Sequence, residues 1–228
     1  MNQLNLPILK AEFFDRDAQT VAKDLLGKVI FHRQDNLWLS ARIIETEAYY
    51  LHDKASHASL GYTEKRKALF MPAGTIYMYY ARGKDSLNVS CQGDGNAVLI
   101  KSGRVYEADA DQEAMLAAMQ RNHALGSQGK PRPVTRLCSG QTLLCRALGL
   151  KVRQWDQGQF CQESFYLADV KYQPKSIIQT MRLGIPLGRG EHLPYRFIDH
   201  AYVGQCSQNP LNKRGWQEDL HYKIFSSS

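Results

Sequence analysis

The sequence predicts an α+β fold: a single domain with a curved, largely antiparallel β-sheet and flanking helices. Three observations predict it. Short apolar runs follow one another as hairpins, repeated βαβ units are not evident, and no linker or internal repeat divides the 228 residues. With 43% hydrophobic residues, a chain of this length can bury one sizeable core. One domain spanning residues 1–228 is therefore expected.

The elements can be predicted in order along the chain. Asp15 is expected to cap a first helix that Gly27 ends. This helix carries apolar residues at spacings of three and four: Ala18, Val21, Ala22, Leu25 and Leu26. Five strands follow from period-two or continuous apolar runs, at 28–32, 38–49, 75–80, 87–91 and 97–101. A helix over 108–122, a loop over 126–133, helical spacing over 143–150 and further strands complete the prediction.

The second strand ends in two carboxylates. Because side chains alternate at period two, one face should carry Leu39, Ala41, Ile43, Glu45 and Glu47. Glu47 would then lie where an apolar face ends, near bulk solvent but outside it, which suits a general base. The structural alternative is that Glu47 is a strand-end carboxylate paired with Arg42 or a lysine. Glu45, two residues earlier, is expected to be a partner or neighbour of Glu47.

Composition narrows the class of partner. The chain has 29 Lys and Arg against 22 Asp and Glu, a formal charge of +7, which favours a polyanion. No apolar stretch approaches the length of a membrane span, and the first residues lack the pattern of a signal peptide. Five cysteines form no CxxC pair, and their odd number argues against a disulfide framework. A soluble, intracellular protein with reduced, buried thiols and no membrane contact is expected.

Several blocks, in the same order, resemble the alkyladenine DNA glycosylase family, also called 3-methyladenine DNA glycosylases of the methylpurine type. The blocks are RIIETEAY (42–49), His57, FMPAGTIYMYY (70–80), NVSCQGDG (88–95), LCSGQTLLCRALGL (137–150) and RLGIPLGRGEHLPYRF (182–197). The resemblance runs from about Phe13 to about Val203 and leaves residues 207–228 outside. It implies a single-domain enzyme that flips a damaged purine out of duplex DNA and hydrolyses its N-glycosidic bond without a cofactor.

The same resemblance implies a substrate and a setting. The substrate would be double-stranded DNA that contains alkylated or deaminated purines, namely 3-methyladenine, 7-methylguanine, hypoxanthine or ethenoadenine. The enzyme would start base excision repair as a monomer, in the bacterial cytoplasm at the nucleoid or in a eukaryotic nucleus.

The resemblance also implies residue roles. Glu47 falls on the general base that activates water. Tyr49, His57 and Tyr79 fall on the walls that hold the flipped base, where stacking is worth about 1–3 kcal/mol per base and a cationic alkylated purine gains cation–π attraction. Core packing is the structural alternative for the strand tyrosines.

Two further positions complete the implied pocket. Asn88 falls where the family rejects unmodified guanine by crowding its exocyclic amino group. Lys101 falls where the family has an arginine near the active site, which keeps the charge without the bidentate geometry.

The chain departs from the family at two places that contact DNA. The family inserts an aromatic side chain into the gap left by the flipped nucleotide, but the matching residue here is Arg82, with Tyr80 as the alternative wedge. The family's helix start of GPxKL type is replaced by GQTLL, which begins at Gly140; backbone amides there could still hold a phosphate.

Other classes of function stay open. His57 with His52 and Asp53 could be metal ligands, but no cysteine or third histidine lies near in sequence, so neither a metal nor a cofactor is expected. A non-catalytic DNA-binding protein of the same fold would bind lesions without releasing bases. An RNA-binding domain is suggested only by the basic balance and the strand tyrosines.

Overall fold

The computed structural model describes residues 6–107, 111–124 and 131–226. Within these ranges the strands are β1 Val29–Gln34, β2 Leu37–Tyr49, β3 Ile76–Ala81, β4 Lys84–Ser90, β5 Ala97–Val105, β6 Phe165–Ala168, β7 Ser176–Thr180, β8 Arg196–Asp199 and β9 Tyr222–Ser226. The α-helices are α1 Ala11–Phe14, α2 Ala18–Asp24, α3 Gln112–Ala124, α4 Gln141–Leu148 and α5 Val152–Trp155. Short 3-10 helices include His57–Leu60, Glu64–Phe70 and His200–Gln205.

All nine of these strands belong to one antiparallel sheet, which confirms the predicted α+β class. The order is β3-β4-β5-β2-β8-β7-β9, and β1 pairs with both β2 and β6. The long strand β2 is central: β5 lies along one edge, while β1 and then β8 lie along the other. Because its backbone is paired on both sides, side chains at the end of β2 are held firmly.

A bulge interrupts β2 just before its carboxylates. Between Ile43 and Glu45 two residues of β2 pass one residue of β5, so Ile44 is the extra residue. Beyond the bulge, the Oγ1 of Thr46 donates to the carbonyl of Ala22 in α2 at 2.7 Å, so Thr46 faces the helix layer. Bulges of this kind re-aim side chains and are frequent beside active sites.

The bulge corrects one prediction. Ala48 belongs to the main core on the α2 side, so its neighbour Glu47, and Glu45 before it, point to the opposite face. The prediction that both carboxylates share a face with Leu39, Ala41 and Ile43 is therefore wrong. One inserted residue reversed the alternation, and composition gives no sign of it.

The main core fills the space between the helices and one face of the sheet. The predicted apolar face of α2 is confirmed, since all of its five residues are buried. Its cap is not Asp15 but Asp17, which accepts from the amides of Gln19 and Thr20 at 3.0 and 3.1 Å. Asp15 instead ends the short helix α1, which the sequence analysis did not anticipate.

Gly27 closes the turn after α2 for a steric reason. Its φ is +88°, and a Cβ at this position would lie 2.6 Å from the ring of Tyr172.

The predicted helix over 143–150 begins two residues earlier, as α4. The predicted helix over 108–122 is observed as α3, although its first three residues lie outside the described ranges, as do residues 126–130 of the predicted loop.

The C-terminal tail is part of the sheet. It leaves the 3-10 helix His200–Gln205, and β9 then adds to β7 as an edge strand. Three residues of the tail cover a small core on the same face as Glu45: Leu211, Tyr222 and Ile224.

Among the helices of the described ranges, none has the length and apolar character that a membrane span requires. All five cysteines are free; four are buried as predicted, but Cys161 is exposed.

Candidate active site

Strand register places two of the predicted site residues, Asn88 and Glu47, in one row across the sheet. Tyr77 in β3 pairs with Asn88 in β4, Asn88 with Leu99 in β5, and Leu99 with Glu47 in β2. Adjacent strands lie about 4.8 Å apart, so the row spans roughly 14 Å. Residues distant in sequence thus share one face, opposite the helices.

A cavity of about 550 Å³ opens on this face. Seven of the predicted site residues line it: Tyr49, His57, Tyr79, Asn88, Lys101, Arg82 and Gly140. Tyr80 does not, because it is on the other side of β3 and is 52% exposed. A cavity of this size has room for one flat heterocycle.

Glu47 is fully buried and does not line the cavity itself, but lies behind residues that do. Its Oε2 accepts from the hydroxyl of Tyr49 at 2.8 Å and from Nζ of Lys101 at 3.3 Å, and its Oε1 accepts from the amide of Leu183 at 3.2 Å. All three donors line the cavity. The carboxylate is therefore connected to the cavity surface through these three donors.

Lys101 is an ion-pair partner of this carboxylate, with Nζ also 3.2 Å from Oε1. A lysine partner is the structural alternative to a catalytic role for Glu47. Lys101 lines the cavity, however, so the ion pair lies beside the space where a ligand would enter.

Tyr49 is held between Glu47 and a buried arginine. The guanidinium of Arg182 lies 4.6 Å from the ring centroid of Tyr49 and pairs with Asp53. Burial and the neighbouring Glu47 carboxylate raise the pKa of Tyr49 well above its ordinary value. The phenol therefore stays protonated and donates to Glu47. Asp53, a candidate metal ligand in the sequence, is thus the ion-pair partner of Arg182. The described residues contain no group of three or more potential metal ligands.

An aromatic cluster forms the opposite wall. The rings of His57 and Tyr79 meet edge to face with centroids 4.4 Å apart, and Tyr79 stacks on Tyr77 at 5.7 Å. The Nδ1 of His57 lies 2.8 Å from the hydroxyl of Tyr77. Burial, with a contribution from the charge of Arg66, lowers the pKa of His57, so its ring is neutral at pH 7. The wall is thus uncharged and aromatic.

Asn88 lies on the cavity floor with little freedom. It is 5% exposed, and its Nδ2 donates to the carbonyl of Tyr77 at 3.2 Å. This hydrogen bond fixes the plane of the amide at the cavity surface. A fixed polar group there can hinder a ligand that carries an extra substituent.

Arg82 is at the tip of the β3–β4 hairpin. Ala81 pairs with Lys84, so Arg82 and Gly83 form a two-residue turn, with φ of +51° and +74°. Positive φ at both positions is what a type I′ hairpin turn requires. The turn presents Arg82 at the cavity mouth, where it is exposed.

Gly140 caps α4 and is held from below by Glu45. Its amide donates to Oγ of Ser102 at 2.9 Å, and Ser102 donates to Glu45. The carboxylate of Glu45 also accepts from Nε of Arg196 at 2.7 Å and from the amide and hydroxyl of Ser207 at 2.8 and 2.6 Å. This buried network positions the start of α4 at the cavity.

Sequence reasoning missed part of this lining. The segment after Arg182 contributes Leu183, Gly184 and Ile185 to the cavity, and the start of α4 adds Gln141 and Thr142. The block RLGIPLGRGEHLPYRF had been noted for its resemblance, yet no role followed from it, since the amide of Leu183 leaves no mark in the sequence. Asp94, in the block around Asn88, is exposed and does not line the cavity.

Comparisons with known proteins agree with this geometry. Residues 12–202 match the model of the family described as methylpurine-DNA glycosylase. A protein of Pseudomonas aeruginosa strain UCBPP-PA14, provisionally named 3-methyladenine DNA glycosylase, is 62% identical over 213 residues, which cover 93% of this chain and 88% of the relative. A protein of the same name from Pseudomonas fluorescens strain Pf0-1 is 61% identical over 213 residues, 93% and 91% of the two chains. The DNA-3-methyladenine glycosylase of Homo sapiens is 31% identical over 201 residues, 85% of this chain and 66% of the human protein.

Proposed function

The chain belongs to the methylpurine-DNA glycosylase family, and we propose that it flips alkylated or deaminated purines into the cavity and hydrolyses their N-glycosidic bond with water activated by Glu47. Its substrate is double-stranded DNA with a damaged purine, and it acts as a monomer without a cofactor, at the nucleoid or in the nucleus. The observation that carries the proposal is the buried Glu47 carboxylate, which is hydrogen-bonded to three groups that line an aromatic cavity.

The proposed reaction proceeds in three steps. Unpairing costs least for a damaged or mismatched base, which gives a first selection. The base then enters between Tyr49, His57 and Tyr79, and Glu47 takes a proton from the water that attacks C1′ as the bond to the base loosens. A base that already carries a positive charge leaves readily. We propose a monofunctional enzyme, since the Lys101 amine is engaged by Glu47.

Selectivity against unmodified guanine rests on Asn88. The amide is fixed at the cavity floor by its bond to the carbonyl of Tyr77. The exocyclic amino group of guanine would be crowded by it, whereas adenine-derived lesions and hypoxanthine lack that group. The cavity accordingly favours 3-methyladenine, hypoxanthine and ethenoadenine; 7-methylguanine depends on its positive charge to leave.

We expect Tyr79→Ala to weaken binding to a lesion duplex by about 5- to 150-fold, the range that loss of one base-stacking surface gives. Fluorescence anisotropy with a hypoxanthine duplex measures this. Binding to the undamaged duplex, in which no base is flipped, serves as the control and should change little. Equal losses for both duplexes would place Tyr79 outside the base pocket.

We expect Arg82→Ala to weaken flipping and to reduce the slope of log affinity against log salt by about one, if the guanidinium also contacts a phosphate. The measurement combines 2-aminopurine fluorescence beside the lesion with a salt titration. Alanine, like arginine, is strained at the positive φ of this turn, so the substitution changes the side chain without relieving the backbone strain. Tyr80→Ala is the matched control and should behave as wild type; the reverse pattern would make Tyr80 the wedge.

Base release from defined duplexes tests the proposal as a whole. One duplex carries a single hypoxanthine and another is alkylated to contain 3-methyladenine; free base is quantified under single-turnover conditions. We expect release from both. Tight binding without release would favour the non-catalytic DNA-binding protein, and an equal preference for undamaged single-stranded RNA would favour the RNA-binding domain.

A further inference from the structure

Two arginines lie side by side on the cavity face of the sheet, away from the cavity itself. Arg42 in β2 and Arg104 in β5 are direct cross-strand partners. Their neighbours Ala41 and Val105 belong to the core on the helix side, so both arginines point to the face that carries Glu47. Like charges directly opposite each other in an antiparallel pair are destabilising. The pair therefore has a cost that its surroundings must offset.

Aromatic rings hold the two guanidinium groups. That of Arg42 lies 4.3 Å from the ring centroid of Tyr172 and 5.2 Å from that of Tyr106. That of Arg104 lies 4.4 Å from the ring centroid of Tyr202. These contacts orient both planar groups, and each arginine remains partly exposed.

Neither guanidinium has an acceptor among the residues that the structure describes. The Nε of Arg42 and the Nε of Arg104 are both buried without a hydrogen-bond partner, and no carboxylate lies within 4 Å of either group. Each guanidinium offers a fork of donors that matches two oxygens of a carboxylate or phosphate.

One buried carboxylate lies close enough to interact with Arg42. Asp199 is fully buried and accepts from the hydroxyl of Tyr172 at 2.9 Å. Burial raises the pKa of the Asp199 carboxyl, although the Tyr172 hydrogen bond and the Arg42 charge act in the opposite direction. A single carboxylate against two guanidinium groups leaves net positive charge at the site.

We propose that Arg42 and Arg104 bind a phosphate-type oxyanion between them. The ligand would accept from the guanidinium donors that these partly exposed side chains present, and it would cancel the repulsion across the strands. Three observations point to it independently of one another: the cross-strand register, the stacking on tyrosines and the unpartnered buried Nε atoms.

Such an oxyanion has two possible sources, a phosphate of the DNA backbone and free inorganic phosphate. The first rests on the proposed function. Five residues of β2 separate Arg42 from Glu47, roughly 16 Å at the rise of a strand. This corresponds to about five base pairs along a duplex, at about 3.4 Å per phosphate of one strand. A duplex that ran along β2 from the cavity would have backbone phosphates at this distance.

Two measurements on wild type, Arg42→Gln and Arg104→Gln test the site. In thermal unfolding, inorganic phosphate should raise the melting temperature of wild type more than chloride at equal ionic strength, and this difference should be smaller in both variants. In binding to a 25-base-pair lesion duplex, each variant should reduce the salt slope by about one. Arg33→Gln is the control, since Arg33 is exposed and its side chain donates to Asn36.

The outcomes separate the sources. A reduced slope identifies the DNA backbone, whereas phosphate stabilisation with an unchanged slope identifies a free oxyanion. Both measurements unchanged in the variants would overturn the site. Arg104→Lys, which keeps the charge, should keep the slope, so it remains informative if a Gln variant fails to fold. The phosphate measurement uses no DNA, so its result does not depend on whether the protein releases bases.

Discussion

Glu47→Gln should reduce single-turnover base release by at least about 10²- to 10⁴-fold, the usual contribution of a general base. The amide fills the same space and still accepts from Tyr49, but it cannot take a proton from water. Binding to the lesion duplex should stay within a few-fold of wild type, because the aromatic walls are intact. The measurement pairs quantification of released base with anisotropy on the same duplex.

Glu64→Gln is a matched control for that variant. Glu64 is exposed, lies in a 3-10 helix and does not line the cavity, so base release should be unchanged. Release by Glu47→Gln at the wild-type rate would remove Glu47 from the role of base. Loss of binding together with release would indicate instead that the carboxylate shapes the cavity.

Glu45→Gln should lower the free energy of unfolding by about 3–5 kcal/mol, the cost of leaving a buried charge without its partner. Glu45 and Arg196 are both fully buried and lie 2.7 Å apart. Urea unfolding measures the change. Removing the stranded charge as well, in Glu45→Gln with Arg196→Met, should restore part of the loss.

Asp24→Asn removes one partner of an exposed ion pair whose N–O distance is similar to that of Glu45 and Arg196. Arg16 and Asp24 form an ion pair at 2.8 Å, but their side chains are 36% and 47% exposed. An exposed pair contributes about 0–1 kcal/mol. Equal losses in Asp24→Asn and Glu45→Gln would show that burial does not determine the effect.

The loss in Glu45→Gln should depend on pH. Burial alone would raise the pKa of Glu45, but the charge of Arg196 and the hydrogen bonds from Ser102 and Ser207 outweigh it and hold the pKa below 4.5. A lowered native pKa contributes stability above the unfolded value, and this stability is lost as pH falls through the native value. The difference between variant and wild type should therefore be largest near pH 7 and shrink below about pH 4.5.

The sequence predicted the elements better than their detail. Periodicity placed α2 and the first five strands within a few residues, because each has enough apolar residues in series to specify its own conformation. The cap was misplaced from Asp17 to Asp15, since α1 is too short to show a period. The bulge at Ile44 was missed because it depends on how β2 and β5 align.

In the candidate site, too, several of the residues could be predicted from the sequence, but the contacts between distant segments could not. Resemblance supplied Glu47 and the aromatic residues, and register then placed Tyr77, Asn88 and Glu47 in one row. The hydrogen bonds that Glu45 accepts from Ser102 and Ser207 could not be predicted, because these serines are 57 and 162 residues away in sequence. Neither could the Leu183 amide, since every residue except proline carries one.

A crystal structure of Glu47→Gln bound to a duplex with one hypoxanthine would test the central proposal most directly. The account predicts the base in the cavity, against Tyr79 and His57, with C1′ of its sugar facing residue 47 and Arg82 in the gap in the stack. A base that stays stacked in the duplex, or one that is bound away from residue 47, would contradict it.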